Sequence, residues 1–175
     1  MDSLQGQLLI ASPRLVDPNF VRSIVVMVQH NDDGALGLIV NRPLQTTIKE
    51  VCEKALDIPC EIEAALHQGG PCEGPLMVVH TNETQSDIEV FPGVYFTTDR
   101  EKIEWLMNHN DGAIKFFVGY AGWAAGQLLT CRGFADRFGH LPDGSDDAAL
   151  ARAVRARRAV RGDRCSAGRL RSFEL

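Results

Sequence analysis

The run SIVVMVQH at residues 23–30 limits the chain's options more than any other stretch. Four of its eight side chains are β-branched, and such side chains fit a pleated surface better than a helical turn. So short and apolar a run reads as a buried strand. Asn31-Asp32-Asp33-Gly34 follows as a turn, and Leu36 to Val40 (LGLIV) resumes the sheet. Residues 23–40 therefore read as a β-hairpin.

The remaining segments add strands faster than helices. Leu8 to Ala11, Ala64 to Gln68, Leu76 to His80 and Ile114 to Tyr120 read as strands. Val90 to Thr97 reads as a strand interrupted at Pro92-Gly93. Thr47-Ile-Lys-Glu50 is a capping box before Ile48, Val51, Cys52 and Ala55, which predicts a helix over residues 47–56. Thr98-Asp-Arg-Glu101 is a second capping box before Ile103, Leu106 and Met107. This order predicts an α+β chain with a mixed sheet rather than a doubly wound parallel one.

Charge divides the chain. Residues 1–130 carry four Lys and four Arg against seventeen acids, a net of −9. Residues 131–175 carry ten Arg and six acids, a net of +4. The acidic body offers no basic stripe and no helix-turn-helix, so direct nucleic-acid binding is not expected from it. Only residues 146–161, with Arg152, Arg155, Arg157, Arg158 and Arg161, make a basic helix candidate. MDSLQGQLLIAS has no basic leader, and no apolar run reaches the length of a membrane span. Five cysteines without a C-x-x-C pair fit reduced thiols in the cytoplasm.

No catalytic set emerges. His30, His67, His80 and His109 lack ligand spacing, so no metal and no cofactor are expected. There is no G-x-S-x-G elbow. Three stretches remain as candidates. In GYAGWAAGQL (119–128), Tyr120, Gly122, Trp123 and Gln127 form either a sharp structural corner off the strand or an aromatic-walled pocket. In HQGGP, residues His67, Gln68, Gly69 and Gly70 form either a tight strand-to-strand turn or an anion-binding nest. The nest reading lacks the helix and Lys of a phosphate loop. Asn41, Arg42 and Pro43 end a strand. There Arg42 is expected either to pair with an acid of its own chain or to fork a carboxylate or phosphate.

Four segments together resemble the YqgE/AlgH family of bacterial proteins: GQLLIASPRLVDPNFVRSIVVMVQH (6–30), GALGLIVNRPL (34–44), HQGGPCEGPLMVVH (67–80) and GYAGWAAGQL (119–128). The resemblance implies a compact α+β fold whose sheet is strongly bent into a partial barrel with a few flanking helices. It carries no established catalytic residues. One branch of the family is labelled a transcriptional regulator of exopolysaccharide production. The resemblance stops after Leu128, which divides the chain into a family-like domain at 1–128 and an atypical Arg-rich tail at 129–175. That tail reads either as translation in a shifted frame or as a divergent, partly disordered end.

The expected function is that of a non-enzymatic regulatory or binding module in the cytoplasm, acting through an unidentified protein partner. The alternative is a small-molecule or nucleotide-binding protein using the same surface, with an enzyme as its extreme case. That surface requires Arg42, His67 and Trp123 to meet at one hollow built by the bent sheet.

Overall fold

A computed structural model describes residues 3–12, 15–56, 60, 62–109 and 112–130. The Arg-rich segment from residue 131 and the basic helix candidate at 146–161 lie outside the described residues. Among the described residues nine strands run in chain order: β1 (Leu8–Ile10), β2 (Ile24–Asn31), β3 (Gly34–Ile39), β4 (Pro43–Thr47), β5 (Ala65–Gln68), β6 (Cys72–His80), β7 (Ile88–Phe91), β8 (Val94–Thr97) and β9 (Ile114–Ala124). The helices are α1 (Ile48–Val51), α2 (Arg100–His109) and α3 (Gln127–Thr130). A π turn, Cys52–Leu56, continues α1.

The β2–β3 hairpin closes at the Asn31↔Gly34 pair. The Asn31 side-chain oxygen accepts from the amides of Asp33 (3.0 Å) and Gly34 (3.2 Å), so the turn satisfies its own donors. Pro92-Gly93 makes a second hairpin from what reads in sequence as one interrupted strand. Phe91 pairs with Val94 across it, and Gly93 takes φ +82°. That is the positive angle a Pro-Gly turn demands of its second central residue. Thr47 caps α1 as its sequence predicts, its Oγ1 accepting from the Glu50 amide. The second cap shifts by one residue. Asp99, not Thr98, starts α2, because its carboxylate accepts from the Lys102 amide at 3.0 Å. Thr98 instead turns its amide to Asp87.

The strands form one curled α+β sheet in the order β1-β2-β3-β9-β6-β8-β7, with β5 also on β9 and β4 on β5. Every pairing is antiparallel except β5 with β9, so the sheet is mixed. Alternation along β2 sorts its side chains into two layers. Val26 and Val28 face the inside of the curl with Leu38, Met77, Phe96 and Phe117. Val25 and Met27 face the opposite side, covered by Leu4, Leu15 and Phe20. A third layer packs α1 and α2 onto the far side of β5, β6 and β9 through Ile48, Ile103, Leu106, Val78 and Phe116.

β9 is the element that turns one half of the sheet into the other. It pairs with β6 over Ile114 to Tyr120, then with β3 over Ala121 to Ala124. Between the two halves Gly119 adopts φ +70°, which costs any other residue about 1–2 kcal/mol. The bend also resets the side-chain alternation. Phe117 and Tyr120, three residues apart, both belong to the inner layer, whereas Ala121 and Trp123 belong to the outer one.

Candidate functional site

The three stretches singled out in the sequence do converge, though by backbone rather than around a hollow. β4 brings Pro43 opposite His67, and the Gln68 amide donates to the Arg42 carbonyl at 2.9 Å. From Gln68 the chain does not make a hairpin turn. β5 lies along one edge of β9 and β6 along the other, so residues 69–71 must cross β9. The Gly69 amide donates to the Val118 carbonyl at 2.9 Å, and the Gly69 carbonyl accepts from the Ile39 amide at 2.7 Å. Gly69 is therefore a splice between β5, β3 and β9.

Gly70 then passes directly over the β9 backbone. A Cβ there would sit 2.1 Å from the Tyr120 carbonyl carbon and 2.3 Å from the Ala121 nitrogen. At Gly69 it would sit 2.3 Å from the Gly119 oxygen. The paired glycines are thus required by two backbones in contact. The Gly69 amide is consumed by the fold and is not offered to an anion.

GYAGWAAGQL is a continuous strand as far as Ala124, not a corner immediately after Tyr120. Its bend lies at Gly119. The Tyr120 ring lies over Gly74 and Gly122, each of whose missing Cβ would come within 3.1 Å of it. Trp123 is 5% exposed and packs 6.1 Å from Phe20 in the outer core. Gln127 is exposed and caps its own chain, its Oε1 accepting from the Ala124 amide at 2.9 Å. Tyr120 and Trp123 hence face opposite sides of the sheet and do not wall one pocket.

Asn41 and Arg42 hold backbone. Asn41 accepts from the Ile24 amide (2.9 Å) and donates to the Arg22 carbonyl (2.8 Å). Its amide thereby bridges the residues on either side of Ser23. Arg22 carries φ +56°, a strained angle for a residue with a Cβ. Among the described residues Arg42 pairs with no acid. Its Nη2 donates to the carbonyls of Pro18 (3.3 Å) and Val21 (3.2 Å). A guanidinium can brace two carbonyls because its donors are fixed in a plane. The loop it braces has its own sequence signal in Asp17-Pro18-Asn19, where the Asp17 carboxylate accepts from the Asn19 amide at 2.7 Å.

His67 is the chemically distinctive member. Its ring is buried and lies 5.5 Å from Phe117. Its Nδ1 faces the Ala65 carbonyl at 3.1 Å. A carbonyl only accepts, so this bond needs the proton on Nδ1, and the Phe116 backbone is a second hydrogen-bonding neighbour of the ring. Burial first, then the nearby Lys115 ammonium, hold the imidazole below its usual value. Lys115 donates to the Val40 carbonyl at 3.3 Å, which places it at the same rim.

Sequence reasoning missed β4. Its residues Pro43 to Thr46 are exposed, and Leu44 is 37% exposed. The signal was present in the even spread of polar and apolar residues after Pro43, a residue confined in sheets to edges and strand starts. Elsewhere, a cavity of about 140 Å³ is lined by Ser3, His30, Asn31 and Asp32. It is smaller than the roughly 300–1,000 Å³ of typical ligand pockets. Among the described residues no three His, Cys, Asp or Glu side chains are grouped to hold a metal.

A family model described as AlgH-like matches residues 8–130. A UPF0301 protein of Chlorobaculum tepidum is 40% identical over 131 residues, covering 70% of this chain and 67% of the relative. One from Hahella chejuensis is 37% identical over 134 residues, covering 73% and 71%. The solution structure of AlgH from Pseudomonas aeruginosa superposes with a TM-score of 0.60 at 27% identity, over 94% of this chain and 92% of that one. A Corynebacterium diphtheriae protein shares the fold at TM-score 0.56 and 21% identity, over 74% and 70%. The match over residues 8–130 and the 40% identity to a UPF0301 relative place this chain in the AlgH-like, UPF0301 family.

Proposed function

We propose that the chain is a regulatory binding module that acts through protein contacts in the bacterial cytoplasm, with control of transcription through a partner protein as the finer reading. The observation that carries it is β4. This strand pairs only with β5 among the described strands, and Pro43 to Thr46 lie exposed along it. Open strand edges accept extended segments of other chains. Two exposed large apolar side chains flank Arg42: Leu44 on β4, and Val21, at 39% exposure, in the loop whose carbonyl Arg42 braces. Arg42 sits among them, and arginine framed by apolar surface is a common interface composition. The acid excess of the body speaks against a nucleic-acid backbone as the partner.

Affinity capture from the native cytoplasm tests this. The parent, a Leu44→Lys/Val21→Lys variant and a Trp105→Lys control are compared by mass spectrometry after their melting curves are matched. A protein lost with the double variant but kept by the control supports the module. A capture profile unchanged by the double variant contradicts it.

His67 supports a second reading, a small-molecule or nucleotide site at the same rim. A buried imidazole held below its usual value, with the Lys115 ammonium nearby, places a titratable ring and a cation at this rim. A thermal-shift screen with nucleotides and phosphorylated metabolites distinguishes the two readings. A ligand at 100 times its dissociation constant adds about 2.7 kcal/mol of stability, and His67→Phe should abolish the shift.

A further inference from the structure

Away from that rim, three sulfur atoms converge beneath α2. The Cys52 thiol lies 3.8 Å from the Met107 thioether. Cys60 is buried in the same core layer as Cys52. All three belong to one core layer and are nearly sealed: Cys52 is 0%, Cys60 5% and Met107 6% exposed. Each comes from a different place: the first residue of the π turn, the chain beyond it, and the last turn of α2. A π turn adds a residue to the helical repeat, re-aiming the side chain at its start, and such turns recur at functional positions.

We propose that Cys52, Cys60 and Met107 form a binding site for a soft monovalent d¹⁰ cation, Cu(I), for which Ag(I) serves as a laboratory analogue. Thiol and thioether sulfur select such ions over harder ones. A trio without a nitrogen or oxygen donor suits an ion content with two or three ligands. Zinc, which takes four, has no such set among the described residues. Charge balance favours the same choice. Cu⁺ replaces one thiol proton, which leaves as H⁺, while the second thiol and the thioether donate lone pairs. No electron moves and the site stays neutral, which a closed apolar layer requires. The rival use of two neighbouring cysteines is a disulfide, but that gives Met107 no role.

The test uses the full chain with Cys72, Cys131 and Cys165 changed to Ser, handled without oxygen. Cu(I) is titrated against a chromophoric Cu(I) chelator, and Ag(I) binding is followed by calorimetry. One ion per chain is expected, with near-ultraviolet thiolate-to-copper absorption. Cys52→Ser and Cys60→Ser should each weaken binding by more than the roughly 10–100-fold cost of losing an outer-shell partner. Met107→Leu, which preserves core volume, should weaken it several-fold with the melting temperature unchanged. Absence of a one-to-one complex overturns the proposal. So does binding indifferent to both Cys52→Ser and Met107→Leu, or a Cys52–Cys60 disulfide on exposure to air in a chain that retains no Cu(I).

Discussion

Gly70→Ala adds one methyl group where two backbones touch. Its Cβ would meet the Tyr120 carbonyl carbon at 2.1 Å, the Ala121 nitrogen at 2.3 Å and the Tyr120 oxygen at 2.3 Å. None of these atoms belongs to a side chain, so no rotamer change relieves the overlap. Overpacking that side chains can absorb costs about 1–3 kcal/mol. Here the crossing must open, which would also strain the Gly69 bonds to Val118 and Ile39. The expected loss therefore exceeds about 3 kcal/mol, a large share of the roughly 5–15 kcal/mol that holds a domain folded. Gly126→Ala is the control. It has φ +72° and open space around it, so only the backbone term of about 1–2 kcal/mol applies. Urea unfolding followed by circular dichroism and tryptophan fluorescence gives both values. With a slope of about 1–3 kcal/mol per molar, the Gly70 variant should lose at least about 1 M in midpoint or fail to fold. A Gly70→Ala protein within about 1 kcal/mol of the parent would refute the crossing argument and return HQGGP to the status of a ligand loop.

Other outcomes follow from individual contacts. Asn41→Ala removes one part-buried and one exposed hydrogen bond and frees the strained Arg22 segment, and should cost about 1–2 kcal/mol in the same assay; a loss under about 0.5 kcal/mol would deny the clamp. Asp87 should dominate the acid limb. Burial alone would raise its carboxyl, but hydrogen bonds from Lys102, Thr97 and Thr98 bring it down to about 2 from 3.8. Its contribution is thus present above pH 3.8 and lost as pH falls toward 2. The Lys102 and Asp87 side chains are each 32% exposed, so screening holds that contribution below about 2 kcal/mol. Asp87→Asn should remove this part of the slope in midpoint against pH. Burial likewise holds His67 and His80 below 6.5. The unfolded chain therefore protonates first, and stability should decline from pH 7 to pH 5, less steeply in His80→Gln. Trp123→Ala should cost about 3–5 kcal/mol as a core truncation, whereas a pocket-lining role predicts lost binding with little change in melting.

Local physics made most strands readable. SIVVMVQH and LGLIV carry their β-branched content and Asp-Gly turn within eighteen residues, and Pro92-Gly93 marks a break in its strand, though not that the break is a hairpin. Thr47 announces its cap for the same reason: the bond it makes spans three residues. What stayed hidden depends on partners far along the chain. Whether Gly69-Gly70 is a turn or a crossing is decided by β9, some fifty residues later. Whether Trp123 lines the inside or the outside of the curl depends on the alternation reset at Gly119, which composition does not encode. Arg42 in sequence suggests an anion. In the fold two carbonyls of a loop twenty residues upstream take its donors. β4 escaped notice because an edge strand needs no apolar stripe.

Native-state hydrogen exchange at the Gly69 and Ile39 amides tests the central claim most directly. Gly69 donates to Val118 and Ile39 donates to Gly69 across the junction of the two half-sheets. If that junction joins the halves of the curl, both amides should exchange only with global unfolding, in step with Val79 and Phe117 in the strands beside them. Rapid exchange at Gly69, with protection regained on adding an anion, would mean an open loop waiting for a ligand.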